Sequence, residues 1–442
     1  MNDLVLVGGT VIDGTGAAPR RADVRLSGDR ITAVAPDLSG PGQGGGNGDP
    51  ATVVDVSGLT VMPGLIDAHV HISLGEPSSN DELFYRREPA SAAIVAAYNV
   101  GKLLRAGVTS FLDVDGLFNI GPSLRDAINA GLVEGPTMKS GTYALMTAVG
   151  GTAGRFIPDH GTAGYAEVVR DRDEMVRVVR RQVKDGADVI KIHVTGSVPT
   201  RSGELQVWTR DELKTVCDTA HELGVRVSAH CRGDDATRDA VLAGCDIIWH
   251  ASNMGEESLE ALVEHKPALA PVLTFLANLA DYGVKAGAGP EALAMFQNEI
   301  ERTGPMLRRA YDEGVPLMCG SESGFSITPY GHWHAREMEV FVEHLGLSPL
   351  EAITCGTATS AIALEQQGEV GTLEPGRRAD VLVVDGDPST DVSILGDRSR
   401  LRAVYCRGKS VALGELPERK PLKGERTMHW SAVPLTWELA HD

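Results

Sequence analysis

The rhythm of apolar and polar positions changes twice along the chain. Up to residue 62 short apolar runs at 3–7, 11–13, 23–26, 31–34 and 52–56 are separated by turn residues, which predicts strands. The Gly-rich stretch 39–49 between them reads as a flexible surface loop. From 63 to 365 short apolar strands (109–114, 189–193, 226–230, 247–250, 269–273 and 317–319) alternate with amphipathic helical stretches at 170–184, 210–223, 234–243 and 290–313. Such alternation predicts a parallel sheet with helices outside it, as a barrel or a doubly wound sheet. Strands return at 380–384, 401–406 and 410–411. The two strand-rich ends are expected to form one small β-sandwich, from 1–62 and 366–415, around a catalytic domain at 63–365. Residues 416–442, with Trp430 and Trp437, read as a tail that packs on its own or a neighbouring subunit. A homo-oligomer is expected.

Composition narrows the function. The chain has 442 residues and a formal net charge of −19, which argues against nucleic acid as a partner because phosphate binding needs a basic stripe. No apolar run approaches the ~20 residues that cross a bilayer. The N-terminal segment lacks the basic start and apolar core of a signal peptide, so a cytoplasmic protein with no membrane partner is expected. The six cysteines form no CxxC pair and read as free, buried thiols.

The segment Pro63-Gly64-Leu65-Ile66-Asp67-Ala68-His69-Val70-His71 carries the strongest chemical signal. Residues i and i+2 of a strand face the same side, so His69 and His71 present two imidazoles together at the end of a strand. Neutral imidazole is a common ligand for transition metals. In Val189-Ile190-Lys191-Ile192-His193 a lysine sits inside an apolar strand, which is costly unless it is paired. His193 shares its face and is an added ligand, a substrate contact or a core histidine. His230 and His250 each end an apolar strand. Glu322 follows another in Met318-Cys319-Gly320-Ser321-Glu322-Ser323-Gly324.

These motifs resemble the amidohydrolase superfamily, in its imidazolonepropionase- and prolidase-like branch. The resemblance covers nearly the whole chain, including Gly9-Thr10-Val11-Ile12-Asp13-Gly14 and Gly371-Thr372-Leu373-Glu374-Pro375-Gly376. It implies a (β/α)₈ TIM barrel with a small β-sandwich built from both termini. It also implies a binuclear metal site held by His69, His71, Lys191, His230, His250 and Glu322, with His193 as an extra ligand. Lys191 would be carboxylated and would bridge the two ions. Lys191 and Glu322 would be catalytic.

Three features depart from the hydrolases resembled. Glu322 stands where they carry an aspartate that moves the proton, and one more methylene advances the carboxylate by roughly 1.5 Å. Their Gly-Gly-His-Gly loop is here Gly150-Gly151-Thr152-Ala153-Gly154, without histidine. His193 replaces an apolar residue. Trp249, where many relatives have an acid, shapes the pocket wall. Tyr143, Arg155 and His160 are candidate substrate contacts, and His332 and His334 are candidates for the pocket mouth. The Gly-Ser-Glu-Ser-Gly-Phe stretch resembles a smaller branch that includes the nonheme diiron monooxygenase of platensimycin and platencin biosynthesis. On that resemblance the expected function is hydroxylation of an unactivated carbon by two Fe ions and O₂. The substrate would be an apolar diterpenoid acid, carried as a CoA thioester, and the enzyme would need an electron donor. The alternative is a hydrolase with two Zn ions that cleaves an amide or lactam C–N bond.

Overall fold

A computed structural model describes residues 3–38, 51–77, 88–150, 158–200, 203–420 and 433–441. The loop expected at 39–49, the segment 151–154, Arg155 and Trp430 lie outside the described residues. The fold is α/β. One mixed sheet draws on both ends of the chain: Thr60–Pro63 pairs parallel with Leu4–Val11 on one side and antiparallel with Val381–Val384 on the other. Val11, Val24, Ile31, Val61, Val381 and Val383 fill its core.

The central strands are parallel. Leu65–Val70 pairs with Val108–Asp113, which pairs with Thr137–Ser140. Val189–His193, Arg226–Arg232, Ile247–Ser252 and Ala268–Ala270 follow one another in a second sheet. Backbone hydrogen bonds link these runs. Asp188 N donates to Ser140 O (2.8 Å), Met318 N to Leu269 O (2.8 Å), Ala68 N to Cys319 O (2.9 Å) and His71 N to Ser323 O (2.8 Å). Eight parallel segments therefore follow one another back to the first. Leu65–Val70 and Val189–His193 are buried at every position, as expected for strands covered on both faces.

Helices cover this framework where the sequence period is 3.6. Arg172–Lys184 buries Met175, Val178, Val179 and Gln182, and Asp171 caps its start by accepting from Glu174 N. Arg210–Glu222 begins with a capping box between Thr209 and Glu212. Asp234–Ala243 stops at Gly244, whose φ of 101° suits a residue without Cβ. None of the helices among the described residues is long and apolar enough to cross a membrane.

Two expected strands come out differently. The strand at 269–273 ends at Ala270, because the helix Thr274–Tyr282 begins at once. Glu337 holds that helix start, accepting from Leu273 N (2.9 Å), Thr274 N (2.8 Å) and Thr274 Oγ1 (2.7 Å). The segment at 317–319 makes one isolated bridge, Leu317 with Leu269, rather than a regular strand. All six cysteines are buried and free, and the sulfurs of Cys217 and Cys245 lie 3.7 Å apart.

Burial lifts the Glu337 carboxyl to about 7, against the hydrogen bonds from Thr274 and Leu273 that oppose it. The folded state then holds this proton more tightly than the unfolded state does. Its contribution to stability is full at low pH and is lost as pH rises from the ordinary glutamate range through about 7. Denaturant melts from about pH 5 to about pH 8 should show the wild type losing more stability than Glu337→Gln. Parallel losses in the two proteins would contradict the shift.

Candidate metal centre

The C-terminal ends of the parallel strands bring the expected residues together. His69 and His71 leave the strand Leu65–Val70 with their Nε2 atoms 3.3 Å apart. Glu322 faces both, with Oε2 at 3.4 Å from His69 Nε2 and Oε1 at 3.3 Å from His71 Nε2. His250 packs on His69 at a ring distance of 5.6 Å and on His230 at 4.5 Å. Lys191 is fully buried, with Nζ 5.3 Å from the centre of the Trp249 ring. Trp249 is buried too and meets the His69 ring edge-on at 4.7 Å. It therefore packs beneath two site residues.

Backbone geometry aims two of these groups. Glu322 has φ 56° and His250 φ 69°, both in the left-handed region that non-glycine residues seldom adopt. Glu322 is pinned there at both ends of its peptide. Its N donates to His69 O (3.0 Å), and its carbonyl accepts from Thr328 Oγ1 (2.6 Å). Strain of this kind persists only where the surroundings over-determine it.

Electrostatics follow from burying charge among imidazoles. Burial pushes His69 and His250 well below the usual histidine range and takes His193 to about 3. Burial also lowers Lys191 to about 8, which leaves more of its amine neutral. Burial opposes the charge on Glu322 as well, yet His69 and His71 more than offset it and hold the carboxyl below its ordinary range. His71 goes the other way: burial lowers it, but Asp115 and Glu322 lift it to about 10.

A divalent cation fits this set of donors. His69, His250 and Glu322 can each offer a ligand atom, and these atoms lie within 4.8 Å of one another. His69 Nδ1, His250 Nδ1 and Glu322 Oε2 are buried without a hydrogen-bond partner among the described residues. Each such atom costs about 1–3 kcal/mol unless something satisfies it.

Other expected site residues go elsewhere. His334 is buried beneath the centre rather than at a pocket mouth. Its Nδ1 donates to Asp67 Oδ2 (2.7 Å) and its Nε2 accepts from Gly331 N (2.9 Å). His332 faces the C-terminal tail, where its Nδ1 accepts from Trp437 N (3.1 Å). Tyr143 is half-buried, its hydroxyl engaged near Phe118 and Thr162, and His160 is exposed. His193 reaches Asp115 and stacks on His230, with rings 4.8 Å apart and 6° from parallel.

Sequence reasoning missed two carboxylates. Asp115 Oδ1 accepts from His71 Nδ1 at 2.8 Å and is fully buried. Its signal was the pair Asp113 and Asp115, two apart at a strand end. Glu204 lies on the hairpin Thr195–Thr200 and Gly203–Gln206. It accepts from Thr195 Oγ1 (2.9 Å) and lies 3.4 Å from His230 Nε2. Nothing in the sequence pattern pointed to it.

Residues 60–411 match the amidohydrolase family, and this chain belongs to that family. Among curated proteins it is 28% identical to the ochratoxinase of Aspergillus niger over 372 residues, which cover 79% of this chain and 75% of that enzyme. The crystal structure of A. niger ochratoxinase superposes with a TM-score of 0.80 at 25% identity, over 92% of this chain and 95% of that one. A prolidase complexed with N-methylphosphonate-L-proline gives a TM-score of 0.79 at 28% identity, covering 93% of this chain and 99% of the other.

His69→Ala removes a donor that faces both His71 and Glu322. Metal content by plasma emission is expected to fall by about one ion per chain. Full wild-type content would remove His69 from the ligands.

Proposed function

We propose that this chain is a two-metal hydrolase that cleaves the C–N bond of an amide or lactam in a small-molecule substrate. The observation that carries this is the Glu322 carboxylate, 3.3–3.4 Å from the Nε2 atoms of both His69 and His71. It sits where a proton acceptor is needed beside a ligand pair. The names of the relatives, an ochratoxinase and a prolidase, support the same reaction type. The reading takes the eight parallel segments as a (β/α)₈ barrel, with the site at its C-terminal face.

In this reading His69, His71 and Glu322 would hold one ion and His230 and His250 the other, with a carboxylated Lys191 as a further anionic ligand. Bound divalent ions supply Lewis acidity and lower the pKa of water. Glu322 takes the proton released by the attacking water and delivers it to the departing nitrogen. Asp115 keeps His71 turned towards Glu322. Buried Trp249 closes the floor beneath His69.

A second reading rests on the same residue. Glu322 is longer than the family's aspartate, and its two oxygens spread across His69 and His71. A carboxylate that chelates in this way suits two Fe ions and O₂, with hydroxylation of an apolar CoA-linked acid and an outside electron donor. The names of the relatives favour hydrolysis over this oxygenase reading.

Protein purified without added metal should be assayed for metal, for amine release from N-acyl amino acids and dipeptides, and for O₂ uptake with a reductant. Metal-dependent amine release without O₂ uptake is expected. Two irons per chain with reductant-dependent O₂ uptake and no amine release would overturn hydrolysis in favour of the oxygenase. Glu322→Asp should retain metal, while turnover changes by about 100-fold, since a 1 Å displacement of a catalytic group has effects of that order. Unchanged turnover would contradict the role given to Glu322.

A further inference from the structure

Asp115 lies just beyond the strand Val108–Asp113, at the same end as the histidines. Val114 N donates to Val70 O (3.0 Å) and Gly116 N to Thr142 O (2.8 Å), so backbone bonds fix it on both sides. Its two oxygens meet two different imidazoles. Oδ1 lies 2.8 Å from His71 Nδ1 and Oδ2 lies 3.5 Å from His193 Nε2. Holding His71 by Nδ1 leaves its Nε2 facing His69 and Glu322, at 3.3 Å from each. A carboxylate on the outer nitrogen of a ligating histidine fixes its tautomer and ring angle and makes it a stronger donor.

His193 extends this contact across the centre. Its ring lies flat on that of His230, 4.8 Å away and 6° from parallel. The far nitrogen of His230 in turn lies 3.4 Å from Glu204. A single buried carboxylate thus reaches one histidine from each half of the centre, His71 directly and His230 through the face of His193. An apolar residue at position 193 could stack on His230, but it could not accept direction from Asp115.

We propose that Asp115 is a positioning residue that couples the two metal positions, and that His193 transmits its hold to His230 rather than ligating an ion. This rests on the metal-binding part of the function proposed above and requires neither hydrolysis nor oxygenation. Loss of Asp115 therefore weakens both positions at once. Loss of the His193 ring nitrogens weakens chiefly the position served by His230.

The test uses Co(II) alone as the probe, with the full chain. Stoichiometry, chelator competition and the visible ligand-field bands are read for the wild type, Asp115→Asn, His193→Phe and the double variant. Asp115→Asn is expected to keep two cobalt ions per chain, to bind them about 10- to 100-fold more weakly and to shift the bands. His193→Phe, which keeps a ring against His230, should weaken one ion only, and the double variant should bind no more weakly than Asp115→Asn. Wild-type affinity and bands in Asp115→Asn would overturn the proposal. Outright loss of one cobalt in His193→Phe would make His193 a ligand and overturn it too. That arm decides the matter even if Asp115→Asn fails to fold. A wild type that binds no cobalt would instead remove the metal reading of the whole site.

Discussion

The site depends on one carboxylate that never reaches it. Asp67 sits inside the strand Leu65–Val70, and its oxygens tie that strand to the segment after Cys319. Oδ1 accepts from His69 N (3.1 Å) and Ser321 N (3.0 Å), and Oδ2 accepts from Ser321 Oγ (2.5 Å) and His334 Nδ1 (2.7 Å). These four bonds hold the pair His69 and His71 against Glu322. Three of them join positions more than 250 residues apart in sequence. His334 is spent on this joint, which explains why a histidine next to the centre faces its foundation.

Burial then sets the energetics. Glu322 lies 3.3 Å from His71 Nε2, a separation at which opposite charges attract by about 5 kcal/mol at an effective dielectric of about 20. Desolvation costs several kcal/mol for each buried ion, so such a pair comes near to breaking even. A cluster of four imidazoles, a lysine and a carboxylate is therefore poor material for stability. It makes sense as a set of donors for a cation, and the buried Glu322 Oε2, without a hydrogen-bond partner among the described residues, points the same way.

The sequence was legible where a local period carried the information. The i, i+2 spacing of His69 and His71, the buried Lys191 and the strand-end histidines were all readable. So were helices with a strong cap, such as Arg210–Glu222. Elements set by distant partners were not. The early end of the strand at Ala270 depends on Glu337, more than sixty residues away. Glu204 reaches His230 from a hairpin whose pairing leaves little apolar signal. Asp115 was within reach of period-two reasoning, but an acid before glycine reads first as a turn residue. His332 and His334 looked alike in sequence, yet packing sends one to the tail and the other to Asp67.

On an amidohydrolase framework the chain gathers four imidazoles, Lys191 and Glu322, with Asp115 and His193 beside them. The central claim is that these side chains hold two ions, one against His69, His71 and Glu322 and one against His230 and His250. Anomalous diffraction from metal-loaded crystals, collected on both sides of the metal edge, tests it most directly. Two peaks at those positions are the result the account requires. A single peak, or peaks away from these side chains, would contradict it.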